Sequence, residues 1–402
     1  MVNMKRFHHI EFWCGDATNT SLRFSWGLGM RMVAKSDLST GNLVHASYVL
    51  RSGDLDFLFT APYAPSSSIA TAGLPTFKYQ EHASFMATHG LGVRAVAIEV
   101  DDVMAAFTSS MAAGARPCSP PILLEDGHTQ LAEVQFFGDV VLRLISHGIN
   151  DGGLKEEFDG NYFLPKFSPV HNFDHLLGEG VGLKRLDHVG GVVPELAPVI
   201  DYVMRITGFH EFQKFETEEF GRVTESGIHS TFLADSSESA FLNLSEAVYD
   251  TLMKSPMETF LERNQGPGVQ HLALMTDDIF KTIREMKKRA MFDYMPPPSK
   301  EYYDNLKESV KDVLTKEQIQ DCEELGLKVD MDYEGVLIQT FTTPIGDRPT
   351  IFIEIMQRIG CMLEGEDGKV YQRGGCGGFG KGNVFELLKS LEQYDKTLVN
   401  PA

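Results

Sequence analysis

The chain has 402 residues, 43% hydrophobic and 23% charged, with a formal net charge of −20. That length calls for two or more cores, and the apolar share can fill them. The negative balance argues against nucleic acid, which needs a basic footprint, and no apolar run is long enough to span a bilayer.

The opening stretch, MVNMKRFHHIEFW, has no signal-peptide apolar core and no transit-peptide composition. Within it RFHHIEF (Arg6–Phe12) reads as a strand, and NTSLRFSWGLGM after it has apolar residues at helical spacing. VHASYVLRSGDLDFLFT gives short strands closed by turn residues. VRAVAIEVDDVMAAFTSSMAAG is a second strand–helix pair. Its paired Asp101 and Asp102 fall where the strand ends and the helix begins, which suits capping and the helix dipole. VVLRLIS (Val140–Ser146) closes a unit spanning 1–150, and 151–180, rich in Gly, Asp, Asn and His, reads as a linker.

The same order then recurs in 181–402. RLDHVGG (Arg185–Gly191) matches RFHHIEF, GVQHLALMTDD matches GVRAVAIEVDD, and IFIEIMQ (Ile351–Gln357) matches VVLRLIS. ELAPVIDYVMRITGF and HSTFLADSSESAFLNL fill the intervening helix and strands. An insertion, PPPSKEYYDNLKESVKDVLTKEQIQDCEELGL, looks like a loop plus a polar helix, and VFELLKSLEQYDKTL is a C-terminal helix. Cys14, Cys118, Cys322, Cys361 and Cys376 are odd in number and contain no C-x-x-C. A reducing, cytoplasmic setting therefore fits better than a disulfide framework or a zinc site.

Three differences between the repeats carry the chemistry. Where the first has His9, Ala95 and Arg143, the second has His188, His271 and Glu354. All lie on predicted strands, and strands curled into a half-barrel bring such side chains together. A lone histidine on an apolar strand is more often an ordinary buried or edge residue, and His8, His9, His147, His171 and His210 are read that way. A glutamate inside TIFIEIM resists the bland reading. Burying it unpaired costs several kcal/mol or shifts its pKa, and a metal removes that penalty. Two imidazoles and a carboxylate form a facial triad that leaves three open positions on a six-coordinate Fe(II). Iron also supplies a cation that this acidic chain otherwise lacks. The first repeat, with Ala95 and Arg143, is expected to be scaffold.

GGCGGFGKGN (Gly374–Asn383) has a rival reading, since Gly375, Gly377 and Gly380 match G-x-G-x-x-G. No buried strand is expected before it, and too little chain follows for a βαβ unit. It reads as a hinge before the last helix.

RLDHVGGVVPEL, GVQHLALMTDDIF, GDRPTIFIEI and GGCGGFGKGN together resemble the 4-hydroxyphenylpyruvate dioxygenases, most of all the plant type, from about Arg6 to the end of the chain. The resemblance implies an α+β fold of tandem vicinal-oxygen-chelate βαβββ modules forming two half-barrel domains, two modules to each. It implies Fe(II) on His188, His271 and Glu354, a C-terminal lid helix with Phe379 facing the substrate ring, and a homodimer. The implied reaction, a step of tyrosine catabolism, turns 4-hydroxyphenylpyruvate and dioxygen into homogentisate and CO2. Gln270, Gln339, Phe341 and Phe379 are carried over to the reacting centre and Ser230 to the substrate.

The pocket departs from the family pattern. His229 stands where Asn is usual, and the Leu-Pro-x-Asn-Glu-Pro strand reads Leu242, Asn243, Leu244, Ser245, Glu246, Ala247. Pro256 replaces a Gln and Val384 a Phe, so Asn243, Ser245 and Val384 are expected to line an altered pocket. Drift is one reading of these changes. Others are a related arylpyruvate dioxygenase resembling 4-hydroxymandelate synthase, a non-catalytic binding paralogue, and a glyoxalase-like isomerase that needs no dioxygen.

Overall fold

The computed structural model describes residues 2–64, 73–147, 163–171, 180–216, 226–310, 312–365 and 368–399. The first module is β1 (Met4–Trp13), α1 (Ala17–Leu28), β2 (Arg31–Ser36), β3 (His45–Ser52) and β4 (Leu55–Pro62). After α2 (Tyr79–His89) the second follows as β5 (Gly92–Val100), α3 (Val103–Ala112), β6 (Pro117–Leu123), β7 (Gln130–Phe137) and β8 (Val140–Ser146). A two-residue strand, β9 (Ser168–Pro169), pairs with β2 from within the segment read as a linker. Most of the remainder of that segment lies outside the described residues.

The later half repeats the plan. β10 (Leu183–Val192), α4 (Leu196–Thr207), β11 (His210–Glu216), β12 (Ile228–Ala234) and β13 (Phe241–Ala247) make the third module. After α5 (Pro256–Asn264) come β14 (Gly268–Thr276), α6 (Ile279–Arg289), α7 (Lys300–Ser309), α8 (Lys316–Leu325), β15 (Lys328–Met331), β16 (Gly335–Phe341) and β17 (Phe352–Gly360). A hairpin of β18 (Met362–Glu364) and β19 (Val370–Gln372) leads to α9 (Val384–Val399). The fold is α+β with paired βαβββ modules, as the resemblance implied.

The sheets show the duplication directly. Their strand orders are β6-β7-β8-β5-β1-β4-β3-β2-β9 and β11-β12-β13-β10-β14-β17-β16-β15. In each, two modules join through an antiparallel pair, β1 with β5 and β10 with β14. The strand-to-helix joints follow from the Asp pairs. The second Asp of each caps its helix, Asp102 accepting from the Ala105 N–H and Asp278 from the Lys281 N–H. One apolar cluster runs through both halves, and Phe24 of α1 meets Phe292 edge-on at 5.7 Å between ring centroids.

Two expectations are corrected. The insertion holds two helices, α7 and α8, packed on each other, because Ser299 and Thr315 each start a capped helix. Cys361 and Cys376 form a disulfide, whereas Cys14, Cys118 and Cys322 are free. The hairpin between them folds back and joins two cysteines whose spacing matches no motif. Among the described residues no helix is long and apolar enough to cross a membrane.

Candidate metal centre

Three strands of the second sheet deliver the triad. His188 sits on β10, His271 on β14 and Glu354 on β17, with all three side chains buried. One ligand atom from each lies within 4.8 Å of the others. His188 Nε2 is 3.3 Å from His271 Nε2 and 3.5 Å from Glu354 Oε2, and His271 Nε2 is 4.0 Å from Glu354 Oε2.

The neighbours fix which nitrogen faces inward. His188 Nδ1 lies 3.0 Å from Asp187 Oδ1, and an ionised carboxylate only accepts, so Nδ1 carries the proton and Nε2 offers a lone pair. Arg358 grips Asp187 with two bonds, Nε to Oδ2 at 2.9 Å and Nη2 to Oδ1 at 2.8 Å. Burial alone would raise the Asp187 carboxyl. Arg358 and the bond from His188 instead hold it well below the usual carboxylate range. Arg358 Nη1 also donates to the Cys376 and Gly378 carbonyls, tying the glycine run to the metal side. On β14, Gln270 Oε1 is 3.4 Å from His271 Nδ1.

The donor set fits a divalent metal. Burial, then the nearby His188, keeps His271 neutral by lowering its pKa well below the ordinary imidazole value. Burial pushes Glu354 up to about 7 although His188, Arg358 and Lys328 oppose the shift, so its charge is under-compensated where it stands. Two imidazole lone pairs and a carboxylate oxygen facing one point repel each other unless a cation stands between them.

Ser230, Asn243, Ser245, Gln339 and Phe341, all expected around the substrate, lie on the sheet face of the triad. In antiparallel register Ser230 opposes Ser245, Phe232 opposes Asn243, and Phe341 opposes Glu354. Ser230 Oγ donates to Asn243 Oδ1 at 2.5 Å and lies 2.8 Å from Ser245 Oγ. Among the described residues Gln270 Nε2 reaches only Met257 Sδ at 3.6 Å, and Gln339 Oε1 is buried without a partner. Phe379 stacks on Phe232 at 3.9 Å and meets His188 edge-on at 5.5 Å. Phe341, Phe379 and Val384 share one apolar cluster with Phe232, Phe352 and Met295. His229 faces away from that surface, 3.3 Å from Glu246, and Pro256 is the first residue of α5. Sequence reasoning missed Asp187, Arg358 and Lys328. Only Asp187 left a signal, standing beside His188 in RLDHVGG.

The equivalent place in the first sheet holds a guanidinium. Arg143 bonds Glu11 at 2.6 Å, Glu133 at 2.7 Å and His9 Nε2 at 2.9 Å, all buried. His8 and His147 continue the chain from His9 at 2.8 and 3.0 Å.

Duplicated βαβββ modules with one intact two-His, one-Glu cluster define a metal-binding member of the vicinal-oxygen-chelate class. Comparison with known proteins agrees. A family described as the Glyoxalase/Bleomycin resistance protein/Dioxygenase superfamily matches residues 187–294. The 4-hydroxyphenylpyruvate dioxygenase of Plectranthus scutellarioides is 54% identical over 98% of this chain and 89% of its own. That of Daucus carota is 56% identical over 98% and 88%. A solved mutant of 4-hydroxymandelate synthase from Streptomyces coelicolor shares the fold, with a TM-score of 0.77 at 24% identity over 98% of this chain and 100% of that one. The chain belongs to the 4-hydroxyphenylpyruvate dioxygenase family.

Proposed function

We propose that this protein is an Fe(II)-dependent 2-oxo acid dioxygenase that converts 4-hydroxyphenylpyruvate and dioxygen into homogentisate and CO2. The carrying observation is the intact triad in a chain 54–56% identical to such enzymes over almost its whole length. His188, His271 and Glu354 would hold the iron, which when bound supplies open positions for a chelating 2-oxo acid and dioxygen. The chain's own residues do the rest. Asp187 holds the proton on His188 Nδ1, so that Nε2 stays a ligand. Gln270 and Gln339 offer amide groups beside the reacting end. Phe341 and Phe379 form apolar walls that orient an aromatic ring and keep water out. A homodimer in the cytoplasm remains part of the proposal, and light scattering in solution tests the first half of it.

A second reading, an arylpyruvate dioxygenase with another product, is favoured by one observation. Ser230 bonds both Asn243 and Ser245, so a ring hydroxyl would have to compete for them. Product identification after incubation with 4-hydroxyphenylpyruvate, Fe(II) and air separates the readings. Homogentisate supports the first and 4-hydroxymandelate the second. Full turnover by an iron-loaded Glu354→Gln protein would sink both.

A further inference from the structure

Lys328 is a buried charge that no hydrogen bond or ion pair holds among the described residues. It opens β15, opposite Gln339 of β16. Directly opposed residues of an antiparallel pair share a face. Lys328, Gln339 and Phe341 therefore point the same way, and Phe341 opposes Glu354. The lysine thus lies on the sheet face that carries the triad. It is 1% exposed, with Nζ 5.3 Å from the centroid of the Phe341 ring. Among the described residues no hydrogen bond or ion pair reaches that Nζ. Glu386 of α9 attracts it most and Glu354 second, yet Glu386 is bonded to Lys389 at 2.7 Å and Glu354 belongs to the triad. Burial lowers the Lys328 pKa to about 8, which leaves it mostly charged at neutrality. A second orphan donor stands nearby. Asn383 Nδ2 is buried without a partner, while Asn383 Oδ1 accepts from the Tyr302 hydroxyl that also bonds Val329.

An isolated buried ammonium costs several kcal/mol unless an anion meets it. Resting on an aromatic face returns about 0.5–2 kcal/mol, too little to offset that. At 1% exposure the side chain has little room to snorkel to water. The reacting end of a substrate does not supply the anion either. A divalent ion, Glu354 and one 2-oxo carboxylate already sum to neutrality, and Lys328 is left over. The triad stands on mid-sheet strands and Lys328 on the edge strand β15, so a ligand with an acid at each end would span the two.

We infer that Lys328 is a specificity-determining residue that pairs with an anionic group on the ring of the substrate. The site then prefers arylpyruvates bearing a second acidic group to those with a neutral ring. This inference rests on the 2-oxo acid dioxygenase reading and not on 4-hydroxyphenylpyruvate as the preferred substrate, since that ring is neutral near pH 7.

Calorimetric titration of the Fe(II) protein without oxygen, where nothing turns over, tests it. The ligands are phenylpyruvate, 4-hydroxyphenylpyruvate and 4-carboxyphenylpyruvate. The native protein should bind the carboxylated acid at least about tenfold more tightly than phenylpyruvate, a difference of about 1.4 kcal/mol. Lys328→Met should bring that ratio to about one, and Lys328→Arg should keep most of it. A native ratio of one or less overturns the inference, and needs no variant to fold. So does a preference that survives in Lys328→Met. If all three acids bind with no charge preference, Lys328 alone loses its role. If none binds the iron-loaded protein, the dioxygenase reading itself falls, and this one with it.

Discussion

At Gly190 the metal centre depends on a missing side chain. A Cβ there would lie 2.0 Å from His271 Cε1, and the register holds the two residues opposite each other. The first repeat makes the opposite choice, with the large Glu11 facing the small Ala95. Each pair therefore has room for one large residue, and only one arrangement puts an imidazole at the centre. Gly190→Ala should push the His271 ring aside. Overpacking of this kind costs about 1–3 kcal/mol, so iron retained after gel filtration should fall by about fivefold or more. Gly15→Ala, with nothing within 4 Å of the added methyl, is the matched control. Equal iron in the two variants would show that His271 does not ligate. Asp187→Asn probes the same centre from behind. It keeps the shape but weakens the hold on the His188 proton, and should cost about 10–100-fold in Fe(II) affinity by competition with a chelator. An unchanged affinity would reduce Asp187 to a partner of Arg358 alone. The triad was legible in the sequence because a repeat supplies its own control, three positions differing within a preserved frame. Asp187–Arg358 was not, since its halves lie 171 residues apart on strands of unremarkable composition. Lys328 was lost for a similar reason. One lysine in a short strand looks solvated until the register turns it inward.

At the scale of elements, the C-terminal helix is held by what it covers. Val384, Leu388 and Leu391 of α9 join the apolar cluster of Phe341 and Phe379, and Arg263 bonds Asp395 at 2.6 Å. The glycine run before it makes the approach possible. Gly377 and Gly380 have positive φ, and a Cβ on Gly380 would meet Gln339 Oε1 at 2.7 Å. Removing residues 384–402 leaves every triad ligand and Phe379 in place, so iron content should stay within about twofold of native. Product formed per CO2 released should fall, because water gains access to a site meant to exclude it. Iron by atomic absorption and product by chromatography check both halves. An unchanged yield would make α9 a passive cover. The helix and the turns before it were readable from apolar spacing and glycine density. The Cys361–Cys376 bridge was not, because only the fold of the intervening hairpin brings those two residues together.

Across the whole molecule, the two halves share a core but divide their polar interiors differently. The second half is arranged for a metal. The first closes its own centre with the Arg143 network and a set of buried neutral histidines. His45 is the clearest of these. Burial lowers its pKa to about 4, with Glu11 opposing the shift and His82 adding to it. Its ring nitrogens meet Asn42, Ser47 and the Leu74 N–H, and its face packs on Phe77. The unfolded chain takes up a proton near pH 6.5, whereas the folded chain refuses it until about pH 4. Stability is therefore full above pH 6.5 and falls through the window down to about 4. By pH 5 the loss from His45 alone is on the order of 2 kcal/mol. Carboxylates and other buried histidines add to any acid loss, so the test is a difference. His45→Asn removes the titration while keeping a polar group among the same partners. Between pH 7.5 and pH 5 its urea midpoint should drop less than that of the native protein. The chain's two tryptophans, Trp13 and Trp26, both lie in the first half, so their fluorescence follows that half without reporting iron loss directly. Parallel drops in the two proteins would mean that His45 takes up its proton in the fold as readily as in the open chain. The acid sensitivity of the scaffold would then lie with other groups, His8, His9 and His147 first among them, since burial lowers each of these as well.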